Sequence, residues 1–384
     1  MKLTKILKRM SVIAVCVSLM FANVAVTYAS ETKVTGTFFD GASGNTFNYD
    51  AFYDDAYFDK GAKKEQSELA KLSMLASAAA YEKTMATELL KECGFKGKYT
   101  EKAVTKDDND YVSYLIGHKK MNGYTVVAVW VRGTGGNYEW ISNFNLGTEE
   151  THAGFSKAES RLFKAVKKYM KKNKITSKVK FWVTGHSRGA AVGNLLAKRL
   201  TDKYGAGNVF AYTFATPAVS QLASAKCEKK YKNINNYINS GDFVTAVPPQ
   251  EWGYYRYGRD IVFSASDDDE INSAFYDIMS VKYGGFSEAE KQALVSAFLD
   301  YCGDSVSTYY SARENGITPA EFCMKGLGGS LAGDKSAYIY LIGTAATDEQ
   351  ASKIVDLMLL GDDSVEKFSH AHGLPTYFAG LAGR

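Results

Sequence analysis

Hydrophobic positions change period several times along this chain, and each change predicts an element. Across residues 63–93, Leu69, Leu72, Leu75 and Ala79 recur at three- and four-residue steps among Ala, Glu and Lys. That is the stripe of a helix, and Gly94 can end it. Two strand-like runs follow, residues 111–117 and 124–132, joined through Asn122-Gly123, a hairpin signal. Residues 126–131 are apolar without a break, as in a strand buried on both faces. Leu162, Phe163, Val166 and Tyr169 give residues 156–173 an inward helical face. Val179, Phe181 and Val183 return to the alternation of a strand, and the Ala- and Gly-rich run 188–204 reads as helix. Residues 208–214, 233–239 and 255–263 are further strands. Alternation of strand and helix from residue 124 to 239 predicts a mostly parallel sheet with helices on both sides. Residues 31–57, rich in Gly, Asn, Asp and aromatics, read as an extended or irregular lead-in. From residue 264 to 368 the chain is first Asp- and Ser-rich and then helical in pattern, with Ile278, Met279, Leu294 and Phe298 at helical steps.

The first 29 residues stand apart. Lys2, Lys5, Lys8 and Arg9 precede an uncharged, mostly apolar run that ends in Thr27-Tyr28-Ala29. Basic start, short apolar centre and small terminal residue predict a secretory signal peptide cleaved after Ala29. A membrane anchor would need an apolar run of about 20 residues, longer than this one. Removing those four cations from 46 Lys and Arg leaves 42 to match 42 Asp and Glu. A balanced charge offers no basic face, which argues against a nucleic-acid partner. Cys93, Cys227, Cys302 and Cys323 would remain in an exported chain, and three full pairings are open to them. No C-x-x-C pair occurs, and the five histidines are too few and too scattered for a zinc site.

The chemistry centres on Gly185-His186-Ser187-Arg188-Gly189. Glycine fills 34 of 384 positions, so the bare pattern could be an ordinary glycine-rich turn. The strand before it and the small-residue helix after it give it weight. On a sharp strand-to-helix turn, a serine projects from the sheet edge above the positive end of a helix. Ser187 needs a base held by a third group. His186 points to the opposite face from its neighbour, and His118 and His152 precede the serine. The chain order serine, acid, histidine leaves His370 and His372, either of which could instead be a surface residue near a terminus. Among acids, Asp242 follows a short strand on the edge where strands end, although Asp after Gly is also common turn chemistry. Asp260 lies within a strand-like run, and residues 267–270 form a solvated charge cluster.

Taken together these pieces resemble the class 3 (fungal-type) lipases and their exported bacterial relatives. The matching segments are Val131-Arg132-Gly133-Thr134, His152-Ala153-Gly154-Phe155, the Ser187 pentapeptide, Thr213-Phe214-Ala215-Thr216-Pro217, the Asp242 turn with Val247-Pro248-Pro249, and the terminal histidine. They occur in the family's order. The resemblance implies an α/β-hydrolase fold, hydrolysis of carboxylic esters, no cofactor, and a small ester or lipid substrate met in transient contact with a lipid interface. It implies Ser187 as nucleophile, Asp242 as acid, and Thr134 and Arg188 as backbone donors of an oxyanion hole. His372 stands five before Tyr377, a spacing similar to the bacterial members, and so is preferred to His370 as base. His152 and Trp140 resemble structural residues of the family. Two departures stand out: Arg188 replaces an apolar residue, which would bring charge to the pocket, and residues 137–151 are short for a helical lid. The expected division is 1–29 signal peptide, 30–62 lead-in, 63–263 core, 264–368 largely helical cap insertion, and 369–384 the core segment carrying the base. A non-catalytic lipid- or surface-binding relative and an acyltransferase are the competing readings.

Overall fold

The computed structural model describes residues 31–40, 44–105, 108–135, 139, 142–143, 145–146, 149–176, 178–223, 229–301 and 364–383. The signal-peptide expectation, Trp140, Cys227, Cys302, Cys323 and most of the expected cap lie outside them. Cys93 is buried and has no disulfide partner among the described residues.

A seven-stranded sheet carries the fold: β3 (Lys96–Thr100), β4 (Tyr114–Lys120), β5 (Thr125–Val131), β6 (Val179–His186), β7 (Val209–Phe214), β8 (Ile234–Asn239) and β9 (Arg259–Phe263), side by side in chain order. β3, β4 and β5 pair antiparallel, and every pair from β5 to β9 is parallel. This mostly parallel sheet with helices on both faces is an α/β-hydrolase fold. The unbroken apolar run of β5 serves both faces, because successive side chains alternate. Val126, Ala128 and Trp130 join one core, with α1 (Ser67–Ala79) and α8 (Leu374–Ala382). Val127, Val129 and Val131 join the other, with α3 (Ala153–Lys172) and α4 (Arg188–Tyr204). On the first face α1 is also pinned to β6 by polar groups. Trp182 Nε1 donates to Ser73 Oγ at 2.8 Å, and the Ser77 and Thr184 hydroxyls meet at 2.6 Å.

One expectation gives way here and another, that of an extended or irregular lead-in, narrows to its extended form. The helical run 63–93 is two helices, α1 and α2 (Lys83–Glu92), because Glu82 turns its carboxylate onto the Thr84 and Met85 amides and starts a new N-terminus. Gly94, at φ +78, closes α2 as expected. The lead-in is a regular antiparallel hairpin, β1 (Thr32–Asp40) with β2 (Asn45–Tyr53). Its inward Phe38 and Phe47 pack around Phe378 of α8, and Tyr49 stacks on that ring at 3.9 Å. Burying one such aromatic contributes roughly 2–3 kcal/mol.

Of the segment after residue 264, α5 (Asp269–Met279) packs Ile271, Phe275 and Met279 into the core shared with α8. Leu294 and Val295 of α6 (Glu288–Tyr301) share one buried cluster with Phe243, Val244, and Phe368 and Ala371 of α7 (Ser364–His372).

Candidate active site

β6 ends in His186 and α4 begins at Arg188, so Ser187 alone makes the turn between them, at φ +57 and ψ −129. A left-handed serine is a strained backbone, held because the surroundings leave no room for another path. A Cβ on Gly189 would lie 2.3 Å from the Val131 carbonyl oxygen, and one on Gly185 would lie 2.6 Å from the Gly189 carbonyl carbon. The Ser187 amide donates to Phe214 O at 3.0 Å, and the Ala190 and Ala191 amides return to Ser187 O.

Three remote side chains converge on the turn. Ser187 Oγ is 2.9 Å from His372 Nε2. His372 Nδ1 is 2.9 Å and 3.1 Å from the two oxygens of Asp242. An ionised carboxylate only accepts, so the Nδ1 proton faces Asp242 and Nε2 is left to accept from the serine. Asp242 is fully buried, where an unpaired charge would cost several kcal/mol. Two further donors reach it, Tyr377 Oη at 2.6 Å and the Val244 amide at 3.0 Å. Burial, reinforced by the Asp242 charge, holds the Tyr377 phenol well above its ordinary pKa, so it stays a donor. β8 delivers Asp242, α7 ends on His372, and α8 supplies Tyr377.

The acids and histidines set aside on sequence grounds have other work. Asp260 forms a forked pair with Arg256, at 2.6 Å to Nη2, and Asp268 caps α5. His118 pairs with Tyr169 at 2.8 Å. His370 is no surface residue: only 3% of it is exposed, against Phe275 and Tyr283.

Thr134 lies three residues past β5. Its Oγ1 accepts from Asn143 Nδ2 at 3.1 Å. Arg188 is the first residue of α4, where a helix has N–H groups without intrahelical partners. Its side chain does not charge an open pocket, as the sequence suggested. It is 1% exposed and turned beneath the Thr134 loop, donating to Asn143 Oδ1 at 2.7 Å, Ser142 Oγ at 3.0 Å and the Tyr111 carbonyl at 3.3 Å. Burial lowers its pKa to about 10, which still leaves it charged at neutral pH. Because a guanidinium has no acceptor, it fixes the Asn143 amide with oxygen toward Arg188 and nitrogen toward Thr134. Buried Glu139 braces the same loop, meeting Arg132 at 3.2 Å and accepting from the Gly135 amide. Asn143 was not singled out in the sequence, and Glu139 was noted there only as the residue preceding Trp140, where the family often has Asp-Trp. The four-residue spacing of Asn143 from Glu139, one turn of helix, is the local signal that could have pointed to it.

His152 is the N-cap of α3 and lies under this loop, fully buried, with Nε2 2.9 Å from Asn143 O and its ring stacked on Phe155. Burial lowers its pKa to about 3 from an ordinary 6.5. Between those values the unfolded chain takes up a proton that the folded protein refuses. His152 should therefore make stability fall as pH drops through that window, by up to about 1.4 kcal/mol per pH unit. Urea unfolding at pH 6, 5 and 4 should show a shallower slope in His152→Gln than in the parent; equal slopes would count against this assignment.

Ser187, His372 and Asp242 thus stand in one hydrogen-bonded series at the strand ends of an α/β-hydrolase fold. Residues 128–252 match the family of class 3 lipases. Over 124 residues the chain is 36% identical to a secreted mono- and diacylglycerol lipase of Malassezia globosa, a stretch covering 31% of this chain and 40% of that protein. It is 29% identical over 170 residues to secreted mono- and diacylglycerol lipase 1 of Fusarium solani, covering 39% and 50%. The solved structure of Rhizomucor miehei triacylglyceride lipase aligns at 22% identity with a TM-score of 0.38, over 51% of this chain and 78% of that one. The chain spans half or less of the length of these curated relatives.

Proposed function

We propose that this protein is a secreted hydrolase of carboxylic esters, acting on acylglycerols or related lipid esters through Ser187, His372 and Asp242. The observation that carries the reading is the unbroken series of hydrogen bonds from buried Asp242 through His372 to Ser187 Oγ. His372 Nε2 takes the serine proton as Oγ attacks the ester carbonyl, and Asp242 holds the imidazole in the required tautomer and steadies its positive form. The backbone N–H groups of Thr134 and Arg188 receive the oxyanion, each contributing about 3–4 kcal/mol. The alcohol leaves with the proton from His372, and water, deprotonated by the same histidine, releases the acid. No cofactor enters this scheme.

The sequence match over residues 128–252 and the names of the relatives support the lipid-ester substrate and the export. The signal-like first 29 residues and the spacing of His372 from Tyr377 support an exported bacterial relative. A serine-directed phosphonate should label the folded protein once, at Ser187. Esters of graded acyl length, with products identified, should then give free acid and a preference for lipid chains. Absence of labelling would favour the binding-protein reading, and acyl groups recovered on an alcohol rather than as acid would favour the acyltransferase.

A further inference from the structure

A helix leaves its last carbonyls without intrahelical donors. α7, which ends on His372, does not turn into a left-handed glycine cap: Gly373 follows at φ −71 and ψ 157, and a Cβ there would fall 2.3 Å from Ser369 O. Its carbonyls are met by side chains from three other places. Thr376 Oγ1 donates to His370 O, Asn239 Nδ2 to Ala371 O at 2.9 Å, and His186 Nε2 lies 2.9 Å from His372 O. A carbonyl only accepts, so the His186 proton is on Nε2. Its Nδ1 then accepts from Tyr81 Oη, 2.9 Å away. The Tyr81 hydroxyl in turn sits against the loop before Thr134, where a Cβ on Gly133 would be 1.9 Å from it. His186 is buried, and the burial favours its neutral form.

We propose that His186 is a positioning residue for the base: its Nε2–H fixes the main chain of His372, and with it the distance from the imidazole to Ser187. Tyr81 selects the tautomer that can donate, and Asn239 and Thr376 close the neighbouring carbonyls. The residue beside the nucleophile thereby ties together the elbow, the helix carrying the base and the Thr134 loop. This inference rests on the reading of Ser187 and His372 as nucleophile and base.

The test separates a held N–H from mere bulk. In His186→Gln the amide nitrogen falls near the place of Nε2, whereas in His186→Asn it falls near that of Nδ1, out of reach of the carbonyl. With full-length secreted protein and a soluble short-chain ester, His186→Asn and His186→Leu should each lose roughly 10- to 100-fold in kcat, as expected of a small misplacement, with KM moved less than about two-fold. His186→Gln should stay within about five-fold of the parent, and phosphonate labelling rates should follow kcat. Tyr81→Phe should fall between, because either tautomer becomes open to His186. Parental kcat in folded His186→Asn, or equal loss in the Asn and Gln variants, would overturn the proposal; this polar pair decides the matter even where the leucine variant does not fold. A Ser187→Ala protein that still hydrolysed the ester would instead remove the catalytic reading itself.

Discussion

Replacing Ser187 with alanine should abolish ester hydrolysis, a loss on the order of 10⁶-fold in kcat for a triad that works as a unit, while thermal stability moves little. Alanine keeps the Cβ, so it neither adds to nor relieves the strain of the left-handed turn at φ +57. The backbone bonds that hold the turn, to Phe214 O and from Ala190 and Ala191, involve no side-chain atom. What is lost is Oγ, and with it the hydrogen bond to His372 Nε2. His372 keeps 16% of its side chain exposed, so water can reach the ring. Hydrolysis of a short-chain ester by purified variant, beside calorimetric unfolding of both proteins, checks the two halves. Substantial activity in a preparation shown by mass to contain only the Ser187→Ala chain would leave the proposed nucleophile untenable. A large drop in melting temperature would show that Ser187 also holds the turn.

The parts of this architecture that could be read ahead are those whose signal is local. β5 and β6 announce themselves by apolar runs, and the elbow by glycines whose missing Cβ atoms are required within five residues of each other. The hairpin at the start was harder. Every second residue of β1 from Val34 to Phe38 is buried, but one of the buried positions is Gly36 and the outward residues, Lys33, Thr35 and Thr37, are joined by an exposed Phe39, which masked the period of two. The division of residues 63–93 was also hidden, since the apolar spacing continues across it and only the Glu82 cap breaks the helix. At the site, sequence order and edge position single out Ser187 and Asp242, but the groups that brace them are not local. Asn143 is linked to Thr134 and Arg188, Tyr81 to His186, and Asn239 to Ala371. Such pairings follow from which strand ends lie side by side, and no spacing along the chain encodes them. Arg188 shows the same limit. Its residue type suggested charge in the pocket, yet acceptors on residues 111, 142 and 143 draw it beneath the loop.

The two C-terminal histidines give the second large expected effect, because they are two residues apart on one helix and differ in everything else. His372→Ala should remove the acceptor for the Ser187 proton and lower kcat by roughly 10⁴- to 10⁶-fold, comparable to loss of the serine. It would leave Asp242 with Tyr377 and the Val244 amide, so the carboxylate stays partnered and the fold should persist. His370 faces the opposite way. Its ring lies edge-on to Phe275 at 5.1 Å, neither ring nitrogen has a hydrogen-bond partner among the described residues, and Glu366 approaches no nearer than 3.8 Å. Its role is to fill space between α7 and α5, so His370→Ala should open a small cavity and lower the melting temperature, with kcat reduced by less than about tenfold. Burial lowers the His370 pKa as well, which suits a packed neutral ring rather than a base in contact with solvent and substrate. Kinetics and unfolding of the two single variants, with the double variant for additivity, distinguish the roles. An inactive but stable His370→Ala beside an active His372→Ala would reverse the assignment of the base, and with it the direction in which the proton leaves Ser187.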